Sequence, residues 1–364
     1  MYSHYVGDCS MTAKSLCAAA AATAFTLMPF AASAVEPSFD RLSELVQGAS
    51  VPVTVNNYVA AETAGQFDRI LKMTGGINKL VSFREPTPLD KQSVIRMNRD
   101  TLYSFAIVDI SQGAKLTMPE TDGRYNSVMV VNENEYINKV YYEPGTHVLT
   151  KDEFDTDYVL VAFRTLVDSS DPADIKKAND LQNKFRVEAA SANAYTHPNY
   201  DEKSYKELRD LLLGVSKFLP DSTGAFGSME TTQQVPHMLG AAFGWGGLPS
   251  QDAFYLSENP KLPIGRYQID VPKDVPVKAF WSVSVYNKDG FFQKNDKGVY
   301  NINSQSGKAN PDGSMTVNLG GCDDSSRMNC IPLTEGWNYT VRLYRPDASV
   351  IDGKWTFPAV QKSN

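Results

Sequence analysis

The chain has 364 residues, of which 42% are hydrophobic and 21% charged, with 24 glycines and 20 prolines. That length corresponds to about two domains, and the balance excludes a long disordered chain, a collagen or a coiled coil. A formal net charge of -7 argues against nucleic acid as a main partner, because phosphate binding needs a basic surface.

Residues 16–30, LCAAAAATAFTLMPF, are an uncharged apolar run, with Lys14 before it and Ala32-Ser33-Ala34 after it. A positive flank, an apolar core and a small-x-small site make a secretory signal peptide. A transmembrane anchor needs about 20 apolar residues, more than this run supplies. Cleavage after Ala34 leaves 330 of the 364 residues at the same net charge, since Asp8 and Lys14 leave together, and it removes Cys9 and Cys17. Met11 is a second candidate start, because residues 1–10 carry no apolar pattern. The expected location is the periplasm or the exterior, with no membrane span after cleavage.

Residues 35–93 read as a lead-in followed by one helix. Val59, Phe67, Ile70 and Leu71 share a helical face over 58–73, and Gly75-Gly76 stops it. Residues 94–170 change character. TLYSFAIVDI, RYNSVMVVN, EYINKVYY and DYVLVAFRTLV are short β-branched and aromatic runs separated by SQG, TDG and EPG turns. Such spacing predicts an antiparallel β domain. Residues 171–252 read as a helical connector. Asp171-Pro172 starts a helix running to about Ala190, a second covers 201–217 and ends at Leu219-Pro220, and a third covers 233–243. Residues 253–364 form the second β domain, with RYQIDV, KAFWSVSVYN, VYNI, SMTVNLG and NYTVRLYR as its strands and a short helix after Asp347. Cys322 and Cys330 flank a polar, turn-like loop. In an oxidising compartment this predicts one short-loop disulfide rather than a metal site, which wants four ligands. The expected fold is mainly β, with two β-sandwich or jelly-roll-like domains linked by an α-helical segment.

Asn98-Arg99-Asp100-Thr101-Leu102-Tyr103-Ser104, Arg124-Tyr125 and Val130-Val131-Asn132 resemble the domain of unknown function 1254. Phe280-Trp281-Ser282-Val283-Ser284-Val285-Tyr286-Asn287, Asn310-Pro311-Asp312-Gly313-Ser314 and the run from Gly336 to Pro346 resemble the domain of unknown function 1214. Gly244-Trp245-Gly246-Gly247-Leu248-Pro249 between them looks like the junction of that family. The resemblance implies an exported, mainly bacterial protein with two jelly-roll-like domains. It implies no activity.

Candidate chemistry centres on a few groups. Arg99 presents a planar fork for a carboxylate, with Asp100 beside it to fix that fork or act as a base; the alternative is a network at a domain corner. Along WSVSVYN, Trp281, Val283 and Val285 point one way and Ser282, Ser284 and Tyr286 the other. NYTVRLYR alternates likewise, leaving Thr340, Arg342 and Tyr344 on the second face. Arg99, Arg124, Tyr286, Arg342 and Tyr344 are the expected binding face for a small carboxylate or sugar-like ligand between the domains. The competing picture is a solvated outer face, or one packed on the helical connector. A second reading is an envelope hydrolase with Asp100 and Glu135 as paired acid and base. A third is a structural protein that oligomerises through this face. His147, His197 and His237 lie in no local triad or metal spacing, so neither a metal nor a cofactor is expected.

Overall fold

The computed structural model describes residues 50–92, 95–219 and 221–363. The expected signal peptide, its cleavage point, Cys9, Cys17 and the lead-in up to residue 49 lie outside the described residues, as does Pro220. Among the described residues no helix is long and apolar enough to cross a membrane.

Helix α1 (Tyr58–Thr74) ends at Gly75, whose φ of 74° is the left-handed cap that glycine adopts without strain. The first β lobe follows: β1 (Val81–Ser82), β2 (Thr101–Asp109), β3 (Ala114–Met118), β4 (Asn126–Asn132), β5 (Lys139–Tyr141), β6 (Gly145–Leu149), the one-turn helix α2 (Lys151–Phe154) and β7 (Tyr158–Leu166). Five strands form an antiparallel sheet in the order β1-β2-β7-β4-β5.

The segment 171–252 is not wholly helical. Asp171 caps α3 (Pro172–Gln182) as expected, but Arg186–Ala189 forms a strand, β8, on the edge of β3. The expected helix ran through these residues to Ala190. Val187 packs on the lobe's core while Arg186 and Glu188 face outward, so period-two burial and ladder bonds override helix propensity. The order β6-β3-β8 completes a second sheet. Between the two sheets lie Val108, Val130, Val161 and Phe163 against Leu116 and Met118. The opposite face of the large sheet, with Ile107, Met129 and Leu160, packs on Phe67 and Ile70 of α1. Helices α4 (Glu202–Ser216) and α5 (Gln234–Gly244) fall within a residue or so of their expected bounds and pack on the same helix.

The second lobe is β9 (Ala253–Glu258), β10 (Tyr267–Val271), β11 (Trp281–Tyr286), β12 (Asn301–Asn303), β13 (Met315–Leu319), β14 (Cys330–Ile331), β15 (Asn338–Tyr344), the short α6 (Ala348–Ile351) and β16 (Gln361–Lys362). It folds as two four-stranded sheets, β12-β11-β15-β9 and β14-β13-β10-β16. Trp281, Val283, Val341 and Leu343 of one meet Ile269, Val271, Val317 and Leu319 of the other. The architecture is therefore mainly β, as the strand runs require.

Cys322 and Cys330 form a disulfide with their Cα atoms 5.5 Å apart. In the chain-entropy picture, closing so short a loop stabilises by about 2–3 kcal/mol. Reduction, or the double substitution Cys322→Ser and Cys330→Ser, is expected to lower the unfolding free energy by about that amount. Urea midpoints with and without reductant measure it, and coincident curves would contradict it.

Candidate functional site

Strands β11 and β15 are buried on both faces. Their Trp, Val and Leu face fills the second lobe, while Ser282, Ser284, Tyr286, Arg342 and Tyr344 press against the first. A polar face can be buried only if its groups find partners. Arg342 donates from Nη1 to Ser284 Oγ at 3.0 Å and from Nη2 to the Arg96 carbonyl at 2.7 Å and Tyr286 Oη at 2.8 Å. Tyr286 donates to the Met97 carbonyl at 2.9 Å. Asp100 accepts from Ser282 Oγ at 2.6 Å and Asn301 Nδ2 at 2.7 Å. Burial opposes the charge on Arg342, yet Tyr286, Tyr344 and Asp100 hold its pKa above the ordinary value. Burial raises Asp100, against the pull of Arg342 and its hydrogen bonds. Burial and neighbouring Asp100 push Tyr344 well up, so it remains a neutral phenol.

Thus Tyr286, Arg342, Tyr344 and Asp100 are brought together, but as an interlobe seam whose groups bond to one another. Neither solvent nor the helical connector covers this face; the first lobe does. Arg99 and Arg124 lie apart from it. Arg99 donates to the Thr87 carbonyl at 2.9 Å and sits over the rings of Phe292 and Tyr300, and burial lowers its pKa. Arg124 grips Asp122 at 2.9 Å and Asp174 at 2.8 Å, and donates to the Leu166 carbonyl. That tie fastens the approach to β4 onto α3 and leaves little of the guanidinium for a ligand.

The paired-carboxylate arrangement is not present. Asp100 adjoins Thr101, which faces Leu166 of β7, whereas Glu135 follows Asn132, which faces Val159. Seven residues of β7 separate these rungs, roughly 23 Å at ~3.3 Å per residue. Glycoside chemistry needs ~5–10 Å. Glu135 is instead a buried strut: its Oε1 accepts the Gly246 N–H at 3.0 Å, and burial together with Glu62 raises its pKa well above the ordinary value. Beside it, Trp245 Nε1 donates to Thr63 Oγ1 at 2.9 Å, and a Cβ on Gly247 would meet the Phe226 ring at 2.7 Å. The glycine-rich run is thus a close-packed junction. The three histidines bind separate segments: Glu143, Asp68, and the Ala225 and Asn134 carbonyls. Among the described residues no group of three or more His, Cys, Asp or Glu is placed to hold a metal.

The strongest site is one that residue types alone did not single out. Arg164 of β7 is 8% exposed. Its guanidinium carbon lies 5.4 Å from the centre of the Tyr103 ring, its cross-strand neighbour, and Nη1 reaches only Met129 Sδ at 3.8 Å. Among the described residues no carboxylate forms an ion pair with it; Asp252, bonded to Tyr142 at 2.6 Å, acts on it through space alone. Burial opposes the charge, but the phenols of Tyr103, Tyr255 and Tyr125 sustain it. In return, although burial resists ionisation of Tyr103, Arg164 and a hydrogen bond from Asn98 bring its pKa below the usual phenol value. Tyr255, opposite Arg342 in the β9–β15 register, keeps 42% exposure while its phenol feels Arg164, Arg342, Tyr103 and Asp100. Its phenol therefore belongs to the buried polar cluster around Arg164, while the exposed part of Tyr255 lies elsewhere on the residue.

Next to this cluster, the end of α1, the loop that follows β1, and β2 line a pocket of about 570 Å³, ample for a small molecule. Asn98, Thr101 and Tyr103 lie at one end, and Met73, Phe83, Pro86, Pro88, Met97 and Phe105 form the walls. The Asn98 amide reaches Thr101 Oγ1 and Tyr103 Oη at 3.1 Å and Tyr344 Oη at 3.0 Å, joining pocket and seam. The missed signal was a lone cation in the nine-residue apolar strand YVLVAFRTL.

The fold and the seam define a class: a two-lobed β protein whose lobes meet across a buried polar seam. Residues 77–189 match the family described as Protein of unknown function (DUF1254), and residues 257–348 that described as Protein of unknown function (DUF1214). The chain belongs to the family that pairs these domains in this order. The VPA0106 protein from Vibrio parahaemolyticus has a similar crystal structure, with a TM-score of 0.66 and 16% identity, over 85% of this chain and 98% of its own. A putative uncharacterized protein from Burkholderia cenocepacia gives a TM-score of 0.47 at 15% identity, over 84% of this chain and 88% of its own. The Vibrio likeness extends to the fold. Among curated proteins there is no match.

Arg124 supplies an acid-stability test. Its hydrogen bonds draw Asp122 down from 3.8 to about 2. A depressed carboxylate stabilises the fold above its unfolded pKa and loses that contribution as pH falls through the folded one. Asp122 is 55% exposed, so screening keeps the effect small. Stability is expected to fall between about pH 4 and pH 2, and Arg124→Met to remove this part of the fall. Denaturant midpoints across that range measure it; a variant with an unchanged acid slope would contradict it.

Proposed function

We propose that this chain is an exported protein that binds a small carboxylate in the cleft between its lobes, with Arg164 as the anion-binding group. The observation that carries the reading is Arg164 itself: a buried guanidinium with no ion-pairing carboxylate among the described residues, facing phenols of which one, Tyr103, lines the neighbouring pocket. A buried charge without a partner is costly, by several kcal/mol for an isolated ion. A bound carboxylate would supply the missing partner with two parallel hydrogen bonds. Tyr103, Tyr255 and Asn98 are placed to bond the same ligand. The unpaired cation favours a carboxylate over a neutral sugar. The hydrolase reading loses its support with the separation of Asp100 and Glu135. The signal-type N-terminus and the disulfide support a periplasmic or secreted location.

The test is calorimetry and thermal unfolding of the protein from residue 35 onward, in low-chloride buffer. The probes are acetate, benzoate and succinate, with acetamide and glucose as neutral counterparts. Carboxylates are expected to raise the melting temperature as a ligand of the folded form does. Arg164→Met is expected to weaken their binding about 10-fold to 100-fold, the worth of hydrogen bonds to a charged group. Without ligand the same variant is expected to unfold within about 1 kcal/mol of the parent, because the ring contact it loses offsets the burial of charge it relieves. A destabilised variant that binds acetate normally would overturn the proposal.

A further inference from the structure

The pocket beside Arg164 is chemically lopsided. Its walls are thioethers, prolines and phenyl rings, which carry no side-chain hydrogen-bonding group other than weak sulfur acceptors. Apart from Thr87, its hydroxyls and amide gather at Asn98, Thr101 and Tyr103, which are bonded to one another. From there Arg164 is one strand further in, across the β2–β7 ladder from Tyr103. Phe83 stands edge-on to Phe105 at 5.9 Å, and Phe105 stacks on Tyr103 at 5.6 Å, so an aromatic wall runs from the opening to the polar end. Phe83 and Met73 remain 42% and 48% exposed at the opposite end, a cost that an apolar guest would remove. The rim carries Glu85 and Lys91, whose charges offset each other and offer no net attraction to a second anionic group.

Resting on the carboxylate reading above, we infer that the ligand is an amphipathic monocarboxylic acid. Its acid group lies toward Tyr103 and Arg164, and its apolar body fills the pocket between α1, the loop after β1, and β2. A sugar would meet few polar partners along these walls, and a dicarboxylate would set its second charge among phenyl rings or beside Glu85. The thioethers of Met73 and Met97 let the walls adjust to guests of different shape.

The experiment is a titration series on the protein from residue 35 onward with acetate, butanoate, hexanoate and octanoate, alongside octanol and the eight-carbon dicarboxylate. Affinity is expected to rise about three- to fourfold per added methylene, the transfer free energy of one buried CH₂. Octanoate is expected to exceed both octanol and the dicarboxylate by about tenfold or more. Phe83→Ser is expected to flatten the chain-length series. If acetate and succinate bind through Arg164 but added methylenes gain nothing, this inference falls and the carboxylate reading stands. If octanol binds as well as octanoate, and Arg164→Met changes neither, both fall. The chain-length series on the unmodified protein needs no variant to fold.

Discussion

Arg342 lies between two β lobes with its guanidinium engaged by Ser284, Tyr286 and the carbonyls of Arg96 and Met97. This follows from a constraint on β11 and β15, which have an apolar core on one face and a second lobe on the other. Polar groups on that second face are cut off from water, and each one left unpaired costs about 1–3 kcal/mol. The first lobe answers with residues 96–100, giving two carbonyls to Arg342, the Asp100 carboxyl to Ser282 and Asn301, and the Asn98 amide to Tyr344. The same segment leads into β2 and carries part of the pocket. Docking of the lobes and shape of the pocket are therefore one problem: the path of five residues is held from the far side.

Two buried arginines show how similar burial leads to different roles. Arg342 is 3% exposed and its donors end on hydroxyl and carbonyl oxygens. Arg164 is almost as buried, yet it rests on a tyrosine face and a methionine sulfur. A ring face attracts a cation by roughly 0.5–2 kcal/mol, less than several charge-assisted hydrogen bonds. The seam arginine ties the two lobes together, whereas Arg164 has donors that, on the reading proposed above, a bound carboxylate would engage. Neither burial nor residue type separates them; the atoms at their tips do.

That distinction explains what the sequence could show. Alternation along WSVSVYN and NYTVRLYR reveals that the two faces differ, because side chains reverse direction at each residue. It is silent on what covers the second face, so Tyr286, Arg342 and Tyr344 were legible as a group and their partner lobe was not. Arg124 sits near acidic residues both close in sequence and fifty residues away, and its pairing with Asp174 needs α3 to fold back. Glu135 looks like a partner for Asp100 in composition, and only the register of β7 sets them at opposite ends of a sheet. Arg186–Ala189 was hidden for another reason: a four-residue edge strand has too little pattern to outweigh the helix before it. The helices α1, α4 and α5 and the strands of the second lobe were legible because caps, glycines and apolar periods agree with their final packing.

Asn98 shows how the seam and the cleft are joined. Its Oδ1 accepts the Asp100 N–H at 2.8 Å, which fixes the orientation of the amide and directs its NH₂ toward Thr101, Tyr103 and Tyr344. An NH₂ has two hydrogens, so three oxygens share two donors. Tyr344 is fully enclosed and has most to lose from an unmet bond. Tyr103 faces the pocket and also has the charge of Arg164 beside it, so its oxygen is the least dependent on Asn98. On the proposed reading, a ligand oxygen at this end would take a donor from Asn98 without opening the seam. The polar cluster draws on both lobes: Arg164, Tyr103 and Asn98 come from the first, while Tyr255 and Tyr344 come from the second. A polar seam suits such a division, since an apolar interface would join the lobes equally well but leave no hydrogen-bonding groups where the pocket meets it.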